Sequence, residues 1–584
     1  MIESARVILN TKPFPFLKLP DFNIRQFSSW LIIGTVSATF SSCIMVGPNY
    51  STPKSSVEKQ WVESSAVSKK PQKVSDALWW KKFHDPVLNQ LIEIAYKNNP
   101  TLQMAGVNIL KARADLNGAI GNLFPQSQGL SGGTSYYYLP PQSSNSNSSA
   151  QFQPGTPLGT AFSQQLSNNN NTGGMQIGPN LFTKQLLFSA TWELDFWGKY
   201  RRTIQSDKAS FLSSMAAYDN ALVSLIGDVA NSYVNIRTTQ AQIQVNQENV
   251  ELQKESLRIA EDRFHAGQTS QLDVTQAQTE LAQTQAQIPS LENTLRQTKN
   301  GLAVQLGITP SEVDRLVKPG KLPTAPDKII TGIPHDLLRR RPDVREAGLN
   351  AASQSAKIGV QVANMLPAFS LNGTFGYSSN NIGDNSLSSI FNWQNSIVQS
   401  AGSFTMPILN YGRLINKVRS QDASFQMAVL NYQNTVLTAQ KEVENGLSSF
   451  KHGKQSAVFL QTAVTAAKAS TKLAIDRYKA GQADYTTVLT AEQQQLSVEN
   501  SLVGTDGSVM LGLVSAYKAL GGGWEMRQGR DVISPQVKTE MQKTTRWGRM
   551  MEPPNHIPQV APEDQPVQVP KGHTWIWNLL NINK

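Results

Sequence analysis

The sequence predicts an α+β membrane protein: four β-strands per chain joined end-on to two very long helical hairpins, built from two internal repeats. Three observations carry this. One hairpin-turn motif occurs twice, each time between long Gln- and Ala-rich segments. Apolar residues alternate with period two directly after Pro125 and Pro367, where helical spacing stops. No apolar run reaches the ~18 residues a membrane-spanning helix needs, so any crossing must use strands.

The motif is Arg263-Phe-His-Ala-Gly-Gln-Thr-Ser-Gln-Leu-Asp-Val274, with a second copy from Arg477 to Val488. Gly267 and Gly481, 214 positions apart (481 − 267), read as tight turns between antiparallel helices. The same offset pairs Trp197-Gly198 with Tyr411-Gly412 and Leu306-Gly307 with Leu520-Gly521. Upstream, Asn99-Pro100 pairs with Arg341-Pro342 and Pro125 with Pro367, 242 positions apart (367 − 125). The extra sequence in the first half falls in residues 140–178. That stretch is Ser, Asn, Gln, Gly and Pro, a composition unable to build a core, and it reads as an enlarged loop.

Composition narrows the function classes. Net charge is +11, but the basic residues are scattered, with no basic helix interleaved with aromatics, so no nucleic-acid partner is expected. The single cysteine, Cys43, rules out an internal disulfide and a cysteine-based metal cluster. The histidines are isolated, and Gly521-Gly-Gly523 lacks the lysine of a phosphate loop. No enzyme activity and no cofactor are expected.

Residues 1–42 read as an export signal: Lys12, Lys18 and Arg25 precede the apolar run from Trp30 to Phe40. Phe40-Ser-Ser-Cys43 resembles a lipoprotein cleavage box, which makes Cys43 the expected lipidation site. Residues 43–85 form the lipidated N-terminal segment. Within it stand Val46-Gly-Pro-Asn-Tyr50 and Leu78-Trp-Trp80, then Phe83 and Asp85-Pro-Val-Leu88. These resemble the start of the outer membrane factor family, the TolC/NodT-like outer membrane efflux lipoproteins. Tyr517-Lys-Ala-Leu-Gly-Gly-Gly-Trp524 resembles that family's usual end, so the likeness covers about 46–525.

The first repeat spans 86–307, a linker 308–334, and the second repeat 335–521. Asp85-Pro86 is a helix start, with Asp at N-cap and Pro at N1. A helix is expected over 86–122, broken at Asn98-Asn99-Pro100, and its partner from Asp343 to Met365. Strands follow at about 126–139 and 182–196, and in the second half from Phe369 to Ser378 and at about 396–409. The second strand sets Phe182, Leu186, Phe188, Trp192 and Leu194 against Thr183, Gln185, Ser189 and Thr191. A soluble sandwich is the competing reading, opposed by how few charges the polar faces carry. Four strands cannot close a membrane barrel, whose smallest versions have about eight. An open sheet edge in lipid costs several kcal/mol per unpaired group, so copies must pool their strands. Helices are expected over 198–265 and 412–479, each about 100 Å at 1.5 Å per residue, with return helices after each turn, the first of them interrupted at Pro289 with a kink. Residues 522–584, rich in Pro, Gln and Lys, read as a largely irregular tail that wraps the outside of the helical body.

The family resemblance implies a homotrimer whose twelve strands form one transmembrane β-barrel continuous with a long periplasmic α-helical barrel. It places the protein in a Gram-negative outer membrane. It also implies two partners, a periplasmic adaptor protein and an inner-membrane transporter of the resistance-nodulation-division type. By position, it marks Arg263, Gly267, Leu272, Arg477, Gly481 and Val488 as adaptor contacts, and Asp273, Asp484, Thr487 and Thr490 as the pore gate. Thr487 and Thr490 stand where some relatives carry Asp, which weakens any acidic ring. The function so implied is an exit duct for drugs or small solutes. A protein or peptide secretion duct of the same fold is the alternative, and a non-conducting coiled-coil structural lipoprotein is the reading from another class.

Overall fold

A computed structural model describes residues 45–58, 60–63, 76–138, 180–326, 340–380 and 390–551. The expected leader, Cys43 and the enlarged loop at 140–178 lie outside them. Helix α1 is Pro86–Asn98 and α2 is Pro100–Gly121. The break falls where the sequence puts it, because the N-cap Asn99 accepts from Leu102 N–H while Pro100 opens the next helix. Asp85 caps α1, taking the N–H groups of Val87 and Leu88 at 2.8 and 3.2 Å. In the second half, α6 is Pro342–Ala363; between the halves lies α5, Pro310–Leu316, closed by a capping box of Thr309 and Glu312. The linker is therefore partly helical, with Val313 and Val317 buried.

Four strands make one antiparallel meander in the order β1-β2-β3-β4: Ser127–Tyr138, Asn180–Leu194, Ala368–Asn380 and Ser396–Thr405. Register aligns the apolar residues into ranks across all four strands. Leu130 faces Phe188, Phe188 faces Phe375, and Phe375 faces Val398. All four side chains are at least 46% exposed in the single chain. The opposite face carries Ser189, Thr374 and Gln399 in one rank. Two strands end earlier than expected. Strand β2 stops at Leu194 because the Asp195 carboxylate takes the N–H groups of Tyr200 and Arg201 and starts the next helix. Strand β4 stops at Thr405, two residues before Pro407, which has no N–H for a ladder.

Helices α3, Lys199–His265, and α7, Arg413–Lys479, each have 67 residues. They return as α4, Gln271–Leu306, and α8, Tyr485–Ala519. Against expectation, α4 is not interrupted: it runs as one helix through Pro289. Proline removes only its own bond to Gln285, an exposed residue whose carbonyl water can reach. Pro289→Ala should therefore stabilise α4 by about 1–3 kcal/mol, read as slower amide exchange over 283–293; unchanged exchange would contradict it.

The ends of the chain brace the root of the hairpins. Val46 N–H bonds Trp197 O at 3.1 Å, and buried Arg202 donates to Val46 O, Gly47 O and Asn49 Oδ1. Gly47, at φ +92°, lies so close to Gly359 that a Cβ would sit 2.4 Å from its Cα. Trp79 stacks on Tyr517 with centroids 5.4 Å apart. Gly523, at φ +116°, packs under Trp80 and Ile226. The motif before the first helix and the motif at the end of α8 thus meet in one core.

The described part of the tail lies on the helical body, and its expected irregularity is corrected. Residues 524–527 and 548–551 are 3-10 turns, and α9 is Pro535–Thr544. Buried Val532, Ile533 and Met551 anchor the segment on the body. A Cβ on Gly106 of α2 would meet Val532 O at 2.2 Å. Composition hid this because a few well-placed apolar residues dock an otherwise polar segment.

Candidate functional site

The site is built where the two hairpins turn side by side. Each turn closes in the same way. Gly267 (φ +72°) and Gly481 (φ +71°) adopt the left-handed conformation, and the next N–H reaches back, Gln268 to Arg263 O at 2.8 Å and Gln482 to Arg477 O at 2.9 Å. No atom lies near a Cβ placed on Gly267, so there the backbone conformation alone requires glycine.

Beneath the turns, Ile259, Val274, Tyr478, Tyr485 and Val488 form a small shared core. Val488 is fully buried. Its expected role as an adaptor contact is corrected: its side chain is part of the core, as that of Val274 is on α4. Leu272, in contrast, is 61% exposed.

The two tip arginines, equivalent in sequence, differ in surroundings. Arg477 is exposed. Arg263 reaches across to the second hairpin, its guanidinium carbon 4.5 Å from the Tyr478 ring centroid. Its Nε and Nη1 are buried without hydrogen-bond partners. Arg263 thus stacks on an aromatic face of the neighbouring hairpin.

Tyr478 is the residue that sequence reasoning missed. Its hydroxyl donates to Asp273 Oδ2 at 3.0 Å, joining α7 of one hairpin to α4 of the other. Thr269 donates to the same oxygen. Burial, with Asp273 next, pushes the Tyr478 phenol up to about 12, so it remains a donor at any physiological pH. The available signal was the tip motif itself, where Phe264 in the first copy is replaced by a hydroxyl-bearing ring in the second. Asp484 stands apart from this pair. It caps α8, and the Thr487 hydroxyl (2.7 Å) and N–H (3.1 Å) hold its carboxyl below the usual range. Thr490 bonds Thr486 O at 2.8 Å. Thr487, Thr490 and Asp484 are exposed. Among the described residues, no group of His, Cys, Asp and Glu could hold a metal ion.

The profile of the outer membrane efflux protein family matches residues 91–308 and 333–522, well over half of the chain. The chain belongs to that family. It is 27% identical to the toluene efflux pump outer membrane protein TtgC of Pseudomonas putida, over 88% of this chain and 99% of that one. It is 29% identical to nodulation protein T of Rhizobium leguminosarum bv. viciae, over 83% and 91% of the two chains. Among solved structures, the outer-membrane channel OprN superposes with a TM-score of 0.71 at 28% identity, covering 82% of this chain and 99% of that one. In this chain β2 and β4 lead into the N-terminal ends of α3 and α7, and the hairpin tips follow at the C-terminal ends of those helices.

Proposed function

We propose that the chain is the outer-membrane exit duct of a tripartite efflux system, passively conducting drugs or other small solutes. The observation that carries this reading is the sheet. Its apolar ranks span all four strands, and among the described residues β1 and β4 are both left with an open edge. In lipid those edges must pair, and copies of the same chain supply the partners. Three copies give twelve strands, an even number above the eight-strand minimum, with the hairpins continuing each copy's share into a periplasmic helical barrel. A lipid on Cys43 would anchor each copy. That attachment suits the way Arg202 and Gly47 hold the following segment against the barrel root.

At the tips, Gly267, Leu272, Arg477 and Gly481 are the exposed positions for a periplasmic adaptor. Asp273, Asp484, Thr487 and Thr490 are the candidate gate. The pump partner in this reading is an inner-membrane transporter, taken to be of the resistance-nodulation-division type. Native mass of membrane-extracted protein, followed by single-channel recording, tests the reading. A trimer in the outer membrane that conducts once its tips are opened supports it. A monomer, or a non-conducting trimer, overturns it.

A further inference from the structure

The interface between the hairpins changes character about one turn above the tip core. On α3 it becomes polar at Ser256, Gln253 and Asn249, each 2% exposed or less. Facing them are Glu280 of α4 and Glu492 and Glu499 of α8, all buried. Of these carboxylates Glu499 is paired with a cation and Glu280 has one amide donor. Glu499 takes Asn249 Nδ2 at 2.6 Å and pairs with Lys468 of α7 at 3.0 Å. Glu280 accepts from Gln493 Nε2 at 2.8 Å.

Glu492 is different. It is fully buried, and only Ser256 donates to it, at Oε1. Its Oε2 is buried without a partner, and so are both amide atoms of Gln253, one turn along α3 from Ser256. The groups facing it are Ser256 from α3, the Glu280 carboxyl from α4, and the Tyr485 phenol from its own helix. The cation that α7 brings to this band, Lys468, is engaged by Glu499. A carboxylate here would be an unpaired charge beside a second carboxyl, the most costly arrangement a buried acid can take. A carboxylic acid here is neutral, and its second oxygen becomes a donor in a band with acceptors to spare.

We propose that Glu492 is a proton-binding site that sets how tightly the two hairpins hold together next to their tips. With the proton bound, the band is neutral and the hairpins stay closed. Loss of the proton places the charge in the interface, and parting α8 from α3 and α4 lets water solvate it. Burial pushes the Glu492 carboxyl up to about 7, against the Ser256 hydrogen bond and with the help of Glu280. Once hydrated, the carboxyl returns toward its ordinary value of 4.5. Closure is therefore fully favoured below 4.5 and is lost as pH rises through about 7. The inference rests on the duct reading only for its consequence, a tip that yields more readily at neutral than at acidic pH.

The test is amide hydrogen exchange of the full chain, purified from membranes, over segments 246–260 and 484–500 between pH 5 and 8, after correction for intrinsic exchange. The expected wild-type result is a local opening constant rising ~tenfold per pH unit and levelling near pH 7. Glu492→Gln should be flat with pH, at the wild type's acidic level of protection. Glu280→Gln should keep the slope but level off at lower pH. A flat wild-type profile, or an undiminished slope in Glu492→Gln, overturns the proposal. Conductance recorded on the same samples separates the two readings: a conducting protein with pH-independent exchange removes the proton site alone, and a pH-dependent protein without conductance removes the duct alone.

Discussion

Tyr478→Phe should yield a channel that opens more readily with unchanged ion selectivity. The substitution removes the hydroxyl that joins α7 to Asp273 of the neighbouring hairpin and leaves the ring, on which Arg263 rests, in place. A hydrogen bond to a carboxylate contributes about 1.5–3 kcal/mol, and each copy of the chain loses one. Asp273→Ala removes the same bond and also the charge. It should open as readily as Tyr478→Phe and, in addition, lose cation selectivity if Asp273 lines the pore. Single-channel conductance, with reversal potentials measured across a salt gradient, separates the two variants. If both match the wild type, Asp273 and Tyr478 do not belong to the gate.

The largest effect on stability should come from Asp219→Ala, at about 3–5 kcal/mol. Asp219, on α3, is fully buried. It pairs with Arg345 of α6 at 2.8 Å and with Arg527, just past the end of α8. Both guanidiniums also lie over the Trp524 ring. One carboxylate therefore compensates two cations from two other parts of the chain, Arg345 buried and Arg527 partly buried. Removing it leaves both charges without their partner in a site largely shielded from water. Exchange of the segment 524–551 should speed up most, because that segment hangs on Arg527, on Arg530 paired with Glu93, and on buried Val532 and Ile533. Arg527→Met, which keeps one cation with one anion, should cost less. Equal effects from the two variants would show that the triad does not share its charge in this way.

Much of the fold was legible because it depends on local periodicity. Period-two alternation marked β2 and β3, whose apolar ranks depend only on which side chains share a face. Asn99-Pro100 and Asp85-Pro86 marked helix boundaries, since capping is settled within four residues. The turns at Gly267 and Gly481 were legible for the same reason. Where the expectation failed, a distant partner decided. Val488 carries no mark separating it from a surface valine; the packing of α8 on α3 and α7 buries it. Pro289 looks like a break, but in an exposed stretch of a long helix a single lost bond does not end it. The docked tail, polar in composition, is held by contacts with α2 and α3 more than 300 residues away in sequence (for Arg527 to Asp219).

The sequence by itself therefore determined the elements, the two hairpins, the strand faces and the resemblance that places the chain in its family. All of these follow from spacing along the chain or from short motifs. Only the tertiary structure decided which tip residues act together: Tyr478 with Asp273, Arg263 with Tyr478, and Ser256 with Glu492. Each pair joins residues from different hairpins, more than 200 positions apart. Their relation is created by the burial of one helix face against another, and no periodicity in either segment encodes it.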